Sequence, residues 1–183
     1  MNKTLNAARK NQDDEWYTPA EAVNISSQVI DPIDIGLGFD CIWNPFDTKN
    51  SEYAKYSYKI ACKYNLDQFV THSDFFKHDL KMRQSCLVIS NPPFSNKRQI
   101  IDRLIENNIS FILLMPGWGL SHVWLSKLKD KVQIGLFPYT VAFNRKDGSN
   151  KRLLGNVIYL FYHAPIKYPG KVFWLPDNRH VKK

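Results

Sequence analysis

The segment of the chain best suited to chemistry is Asn91-Pro92-Pro93-Phe94, which follows Ser90 and the apolar run 87–89. Two consecutive prolines fix φ at about −65° and remove two N–H donors, so this segment cannot continue a sheet ladder. They also hold the Pro92 carbonyl in one direction beside the Asn91 side chain. Two acceptors and an aromatic ring therefore follow a predicted strand, at the end where open α/β sheets bind ligands. This arrangement suits a planar amino group that must become more nucleophilic, although an ordinary turn is the alternative interpretation.

Three other segments accompany this one in the order 14–19, 43–47 and 73–76, with sequences Asp-Glu-Trp-Tyr-Thr-Pro, Trp-Asn-Pro-Phe-Asp and Ser-Asp-Phe-Phe. Together with Asn91–Ser95 they resemble the small N6-adenine DNA methyltransferases of bacteriophages and mobile elements. Those enzymes use S-adenosylmethionine and belong to the class I methyltransferase superfamily. The resemblance extends over about residues 13–163, and its most specific part is the segment around Asn91.

The resemblance implies a catalytic set of Asn91, Pro92, Pro93 and Phe94. The Asn91 side-chain oxygen and the Pro92 carbonyl would accept both hydrogens of the adenine N6 group and localise its lone pair toward the methyl donor. Phe94 would stack on a target base that has left the duplex or is already unpaired. Such a mechanism requires neither a metal ion nor a covalent intermediate.

The resemblance also implies a site for S-adenosylmethionine after the first strand, formed by Asn44, Pro45, Phe46 and Asp47. Thr18 and Pro19 would approach the methionine end of the cofactor, and Asp74 and Phe75 would meet its adenine. A helix-capping turn is the alternative role of Asp74. Residues 44–50 contain no glycine, and the acidic residue expected after the second strand is absent. These departures leave open a nucleic-acid-binding protein that does not methylate.

Positive charge is concentrated near the C-terminus and predicts a polyanionic partner. From residue 144 to 183, nine lysines and arginines stand against two aspartates, a net +7 of the total +8. We expect DNA, or RNA, to be bound by six basic residues, namely Lys97, Arg98, Arg145, Lys146, Lys151 and Arg152. Solvated surface lysines are the alternative interpretation. Enzymes that methylate a protein glutamine share the Asn-Pro-Pro-aromatic pattern, but the basic segment favours nucleic acid.

Composition limits the organisation of the chain. With 183 residues and 44% hydrophobic content, we expect one catalytic domain over 1–183, without a separate target-recognition domain. Residues 1–12 are expected to be mobile, and 164–183 to form a basic extension. No apolar run predicts a membrane span or a secretory signal, so a cytoplasmic location is expected. The three cysteines, Cys41, Cys62 and Cys86, are interpreted as reduced thiols, and no histidine spacing indicates a metal site.

Strands that alternate with helices predict the elements that position these residues. Strands are expected at 39–43, 68–71, 87–90, 111–115, 132–137, 140–143 and 157–162, and helices at 20–30, 51–64, after Ser95, and from Ser121 through Lys129. Thr18 is expected to cap the first helix, and Ser95 the helix that follows it. The predicted fold is α/β and Rossmann-like, that of a class I methyltransferase. It has a mostly parallel central sheet, flanking helices and an antiparallel C-terminal edge hairpin.

Overall fold

The computed structural model describes residues 16–93, 95–117, 123–145, 150–152 and 156–177. The helices are α1 Ala20–Val29, α2 Pro32–Gly38, α3 Glu52–Tyr64, α4 Lys97–Glu106 and α5 Val123–Ser126. The strands are β1 Trp16–Tyr17, β2 Cys41–Asn44, β3 Asp67–Val70, β4 Cys86–Ser90, β5 Phe111–Pro116, β6 Gln133–Leu136, β7 Ala142–Arg145, β8 Asn150–Arg152, β9 Val157–Tyr162 and β10 Val172–Trp174. The expectation of a mobile segment 1–12 lies outside the described residues.

A seven-stranded sheet organises the chain in the order β10-β6-β9-β5-β4-β2-β3. β9 pairs antiparallel with both β5 and β6, while the other pairings within this sheet are parallel. The predicted Rossmann-like α/β fold with a mostly parallel sheet is therefore confirmed. β9 lies between β5 and β6, so this antiparallel strand is inside the sheet, and β6 and β10 lie between it and the edge.

The expected antiparallel strand 157–162 is present as β9, but the strand predicted at 140–143 is not its partner in a hairpin. β7 covers 142–145 and pairs with β1 and β8 in a separate three-stranded sheet of order β1-β7-β8. Trp16 lies opposite Arg145 in this small sheet. The segment that leads into Thr18-Pro19 is therefore adjacent to the basic part of the chain.

Two apolar clusters cover opposite faces of the large sheet, because successive strand residues point to opposite sides. One cluster joins Ile42, Leu87 and Ile112 to the helices α1, α2 and α3. The other joins Trp43, Val88 and Leu113 to α4 and to the segment that contains Phe75 and Leu80. The four residues of β2 and the five of β4 are all buried, which explains why both strands read as continuous apolar runs.

Helix starts depart from the sequence interpretation in three places. The N-cap of α1 is Pro19, without a side-chain cap, so the prediction of Thr18 as the cap is wrong. Asn96, and not Ser95, is the N-cap of α4. The sequence interpretation missed α2, although Asp31 accepts a hydrogen bond from the Ile33 N–H at 3.0 Å and Pro32 occupies the first turn. Asp-Pro at a helix start was the signal that could have found it.

Two cysteines are cross-linked, which corrects the expectation of three reduced thiols. Cys41 and Cys86 lie opposite each other on β2 and β4 and form a disulfide, while Cys62 is a free, exposed thiol. The pairing is invisible in the sequence because it depends on the register of two strands separated by 45 residues. In the described part of the chain, no helix has the length and apolar character needed to cross a membrane.

Candidate active site

Three of the four predicted functional segments follow strands that end at one edge of the large sheet. Asn44 ends β2, Val70 ends β3 and Ser90 ends β4, and these three strands run parallel. Parallel strands present their carboxyl ends at the same edge, where open α/β sheets bind ligands. The loops that begin at Asn44, Thr71 and Asn91 are therefore neighbours.

Asn44 is fully buried, and its side chain is occupied by protein groups. Its Nδ2 donates to Ser57 Oγ at 2.9 Å and to the Ile89 carbonyl at 2.6 Å. Gln68 Nε2 donates to Asn44 Oδ1 at 3.0 Å. The side chain thus joins β2, β3 and β4 from inside, and a cofactor contact of Asn44 would have to use its backbone. Pro45 is also buried, whereas Phe46 is half-buried.

Asp47 links the loop after β2 to the end of β4. Ser90 Oγ donates a short hydrogen bond to Asp47 Oδ2. Only 7% of Asp47 is exposed, and this burial raises the pKa of the carboxyl to about 6, against the opposing effect of hydrogen bonds from Ser90 and Ser51 and of the nearby His72. A buried carboxyl is thereby attached to the residue that precedes Asn91.

A pair of tyrosines extends this polar interior toward α1. The hydroxyls of Tyr53 and Tyr159 lie 2.5 Å apart, and Tyr159 Oη donates to the Ala22 carbonyl at 3.2 Å. Burial raises the pKa of both phenols well above the ordinary value, so both hydroxyls stay protonated at neutral pH. The first turn of α1 is thus tied to α3, while Thr18 and Pro19 immediately before it are half-exposed.

An aromatic cluster lies behind the loops after β2 and β3. Phe75 packs at 5.8 Å from Trp43 and at 5.2 Å from Phe46, measured between ring centroids. The Arg103 guanidinium anchors the segment from α4, because it donates to the carbonyls of Phe75 at 3.3 Å and His78 at 2.8 Å. These contacts hold the Phe75 ring in place from the side of the core. Phe46 is half-buried, whereas Phe75 and Trp43 are buried.

Asp74 is exposed and caps a helix, which is the alternative to the predicted contact with the cofactor. Its Oδ1 accepts from the Phe76 N–H at 3.1 Å, and its Oδ2 lies 3.6 Å from Lys77 Nζ. His72, with a positive φ of 34°, places Nδ1 3.4 Å from the Phe46 carbonyl. Ser73 Oγ lies 2.9 Å from His78 Nε2. These polar residues occupy the position where an acidic residue after β3 was expected.

The segment Asn91-Pro92-Pro93 leaves β4 directly beside the Asp47 loop. Asn91 is half-buried with a buried Oδ1, Pro92 is buried and Pro93 is half-buried. Phe94 lies outside the described residues. The Pro93 carbonyl accepts from the Asn96 N–H at 3.3 Å, which turns the chain into α4.

The predicted nucleic-acid contacts fall into two groups. Lys97 is only 7% exposed, so its position leaves little of the side chain for a phosphate, whereas Arg98 is exposed and lies 3.6 Å from Asp102. Arg145 belongs to β7, and Lys151 and Arg152 belong to β8. Lys146 lies outside the described residues. The small sheet therefore carries three of the six predicted basic residues.

The sequence analysis did not identify five polar residues as part of the site, namely Ser90, Ser57, Gln68, Tyr53 and Tyr159. Only Ser90 carried a usable signal, because it directly precedes Asn91; the others depend on contacts between residues far apart in sequence. In the described ranges, no group of three or more histidine, cysteine, aspartate or glutamate side chains could hold a metal ion.

Comparisons with known proteins give a resemblance of shape. No family model matches the sequence, and no curated protein matches it significantly. Among solved structures the chain is similar to a 23S rRNA methyltransferase (10% identity, TM-score 0.44, 78% of this chain and 72% of that one). It is also similar to a precorrin-6y C5,15-methyltransferase from Geobacter metallireducens (12%, 0.43, 82% and 95%) and to a predicted O-methyltransferase from Agrobacterium tumefaciens (9%, 0.38, 79% and 85%). At these values the fold class rests on the strand order of the sheet itself.

Proposed function

We propose that the protein transfers a methyl group from S-adenosylmethionine to the N6 amino group of adenine in DNA. The observation that carries this proposal is the position of Asn91-Pro92-Pro93 at the carboxyl end of β4, next to the loop after β2. Ligands bind at this edge in mostly parallel α/β sheets. The same segment contains two acceptors, the Asn91 side-chain oxygen and the Pro92 carbonyl, which would match the two hydrogens of an amino group.

The exocyclic nitrogen of adenine is a weak nucleophile because its lone pair is delocalised into the ring. Asn91 Oδ1 and the Pro92 carbonyl would accept its two hydrogens and hold the lone pair toward the methyl donor. The same oxygens would stabilise the positive charge that develops on nitrogen. Pro92 and Pro93 have no N–H, so neither proline places a backbone donor beside the amino group.

The residues beside this segment fit a cofactor with a flat ring and polar groups. Phe46 offers a half-buried aromatic ring, and Asp74 offers an exposed carboxylate next to His72. The loop of residues 44–47 and the segment 72–75 would hold S-adenosylmethionine between them, with Thr18 and Pro19 near its methionine end. When bound, the cofactor supplies a methyl group on a positively charged sulfur. The residues of this chain supply the orientation of the two reactants.

The choice of DNA is supported by charge and by topology. The segment 144–183 carries most of the net charge, and β1 pairs with β7 so that Arg145 lies opposite Trp16, two residues before Thr18. Basic side chains in that position would bind phosphates on either side of the target base. A long-range attraction to the polyanion would also raise the rate of encounter.

A non-catalytic nucleic-acid-binding protein is the second candidate. Two observations favour it, namely the glycine-free segment 44–50 and the use of Asp74 Oδ1 as a helix cap. Isothermal titration with S-adenosylmethionine separates the two candidates, because a protein that only binds nucleic acid has no reason to retain the cofactor. Saturable binding of S-adenosylmethionine favours the enzyme. If no heat of binding is measured, either with or without DNA, the result favours the binding protein.

The proposed reaction is tested by incubating the protein with duplex DNA and S-adenosylmethionine that carries a deuterated methyl group. The DNA is then digested to nucleosides for mass spectrometry. We expect the label in N6-methyldeoxyadenosine. Parallel incubations replace the DNA with RNA or with protein; label in RNA or in a protein glutamine, with none in DNA, would reassign the substrate. Label in cytosine would contradict the assignment to adenine.

A further inference from the structure

Two buried contacts join the loop after β2 to the residues immediately before Asn91. Asn44 Nδ2 donates to the Ile89 carbonyl at 2.6 Å, and Ser90 Oγ donates to Asp47 Oδ2. Ile89 and Ser90 are the last two residues of β4. The direction in which Asn91 leaves the strand is therefore set by side chains from a different strand end.

The Asp47 carboxyl is turned into the protein. The groups that face it are the hydroxyls of Ser90 and Ser51, the imidazole of His72 and, at longer range, the phenols of Tyr53 and Tyr159. Ser51 also caps α3, where its Oγ accepts from the Ala54 N–H at 3.0 Å. An inward carboxyl that receives hydroxyl donors is suited to holding protein groups in place, and less suited to meeting a ligand that arrives from outside.

The ionised carboxylate is the form that matches these partners. A carboxylate offers only acceptors and can receive hydrogens from both serines at once. A neutral acid must place its own hydrogen on one of its neighbours, so one of these hydrogen bonds has to reverse or break. Burial raises the pKa of this carboxyl to about 6, which brings the change between the two forms into an accessible range of pH.

We propose that Asp47 and Ser90 are positioning residues that fix the orientation of Asn91-Pro92-Pro93, with the carboxylate as the effective form. This inference rests on the proposed function, and it assigns the Asp47 side chain to the amino-group acceptors and not to the cofactor. Asp47 and Ser90 touch neither reactant. They act through the backbone of the segment that would do so.

Kinetics of two variants test the proposal. Ser90→Ala and Asp47→Asn are expected to lower kcat for DNA methylation by about 10- to 100-fold, because a small displacement of a reacting group has effects of this size. The dissociation constant for S-adenosylmethionine should change by less than about twofold, since the affected groups do not contact it. The double variant should be no slower than the slower single variant, because both remove one interaction. Ser27→Ala is the matched control, since Ser27 is a half-buried serine whose Oγ donates to the Asn24 carbonyl within α1 at 2.6 Å.

The pH profile supplies a second kinetic readout. The kcat of the wild type should rise as pH increases through about 6, and Asp47→Asn should lose this rise. The proposal would be overturned if a variant kept the wild-type kcat but bound S-adenosylmethionine more weakly, by the same factor as its kcat/KM is lowered. Asp47 would then be a cofactor-binding residue. Wild-type rates in both variants would overturn it as well.

A readout without catalysis separates this inference from the proposed function. The side-chain NH2 signals of Asn91, assigned by their absence in Asn91→Ala, should shift with pH in the wild type with the same midpoint as the Asp47 carboxyl carbon. Asp47→Asn should abolish that shift, and Ser90→Ala should alter it. This result would uphold the positioning even if no methyl transfer occurs. Asn91 signals that ignore the titration of Asp47 in the wild type would overturn it, and that measurement needs no folded variant of Asp47 or Ser90.

Discussion

At the scale of single residues, Asn91 carries the largest expected effect on the reaction. Asn91→Ala removes one of two acceptors from the reacting nitrogen and should lower kcat by about 100-fold or more. Binding of S-adenosylmethionine, measured by calorimetry, should remain nearly unchanged. Asn96→Ala is the control, because Asn96 is exposed and makes no side-chain cap at the start of α4. A rate for Asn91→Ala above about a tenth of the wild-type rate would contradict the assignment.

Asp47 should also leave a signature in the stability of the protein. Its raised pKa, about 6 in the fold, means that the folded state favours the protonated acid. The gain in the free energy of unfolding that results from this raised pKa is therefore fully present below about pH 4, and it is lost as pH rises through about 6. Asp47→Asn should be more stable than the wild type at pH 8 by up to about 3 kcal/mol, and the gain should disappear near pH 4. Urea unfolding at several pH values measures this difference.

The control for that measurement is Asp67→Asn, which removes a carboxylate from the exposed start of β3. It should show a small difference from the wild type at both pH 8 and pH 4. A gain for Asp47→Asn that does not depend on pH would contradict the expected titration. If the positioning role is correct, the variant that is more stable at neutral pH is also the slower enzyme, which is a common outcome for buried charges at functional sites.

Asp74 offers a comparison between capping and ligand binding. Asp74→Ala should weaken S-adenosylmethionine binding by ~1–3 kcal/mol if the exposed carboxylate accepts a hydrogen bond from the cofactor. Asp79→Ala is a matched control. Asp79 caps the 3-10 helix Leu80–Arg83 through the Lys81 N–H at 3.0 Å, much as Asp74 caps the 3-10 helix Phe75–Lys77 through the Phe76 N–H at 3.1 Å. Equal losses of stability with weaker binding only in Asp74→Ala would support the ligand role. Unchanged binding in both variants would leave Asp74 as a cap.

At the scale of secondary-structure elements, β2 and β4 are joined at both ends. The disulfide lies at their first residues, and Asn44 and Asp47 connect their last ones. Without reductant, alkylation followed by mass spectrometry should modify Cys62 and leave Cys41 and Cys86 unmodified. Reduction should lower the midpoint of thermal unfolding, because the cross-link restricts the unfolded chain by an amount on the order of 4 kcal/mol for a loop of this length. Three alkylated cysteines in the untreated protein would contradict the pairing.

Elements were predictable where the signal was local, and were missed where it was not. The buried runs of β2, β4 and β5 and the stripe of α3 could be recognised from the spacing of apolar residues. The loops that follow β2 and β4 could be expected at one edge of the sheet, because both strands were expected in its parallel part. The insertion of β9 between β5 and β6 could not be predicted, because strand order depends on pairings between distant segments. The contact of Asp47 with Ser90 depends on the same register, and so does the disulfide.

At the scale of the whole molecule, the distribution of charge makes a prediction about salt. Changing Arg145, Lys151 and Arg152 to glutamine should weaken DNA binding for all sequences and reduce the slope of log affinity against log salt by roughly one unit per lost phosphate contact. The control changes the exposed Lys59, Lys63 and Lys129 to glutamine, which removes the same charge elsewhere. Equal slopes for the two triple variants would indicate that net charge alone attracts the DNA. Fluorescence anisotropy over a range of salt concentrations measures both.

The position of β9 has a consequence for the order in which the molecule can assemble. β6 precedes β9 in the chain by more than twenty residues, yet its partners in the sheet are β9 and β10. During synthesis β6 therefore stays unpaired until the C-terminal strands have left the ribosome. Until then the edge of β5 that pairs with β9 also lacks its partner. Contacts between such distant segments slow folding, and unpaired strand edges promote aggregation. A chain that stops before residue 157 should keep the β3-β2-β4-β5 half of the sheet and still fail to become a stable, monomeric protein.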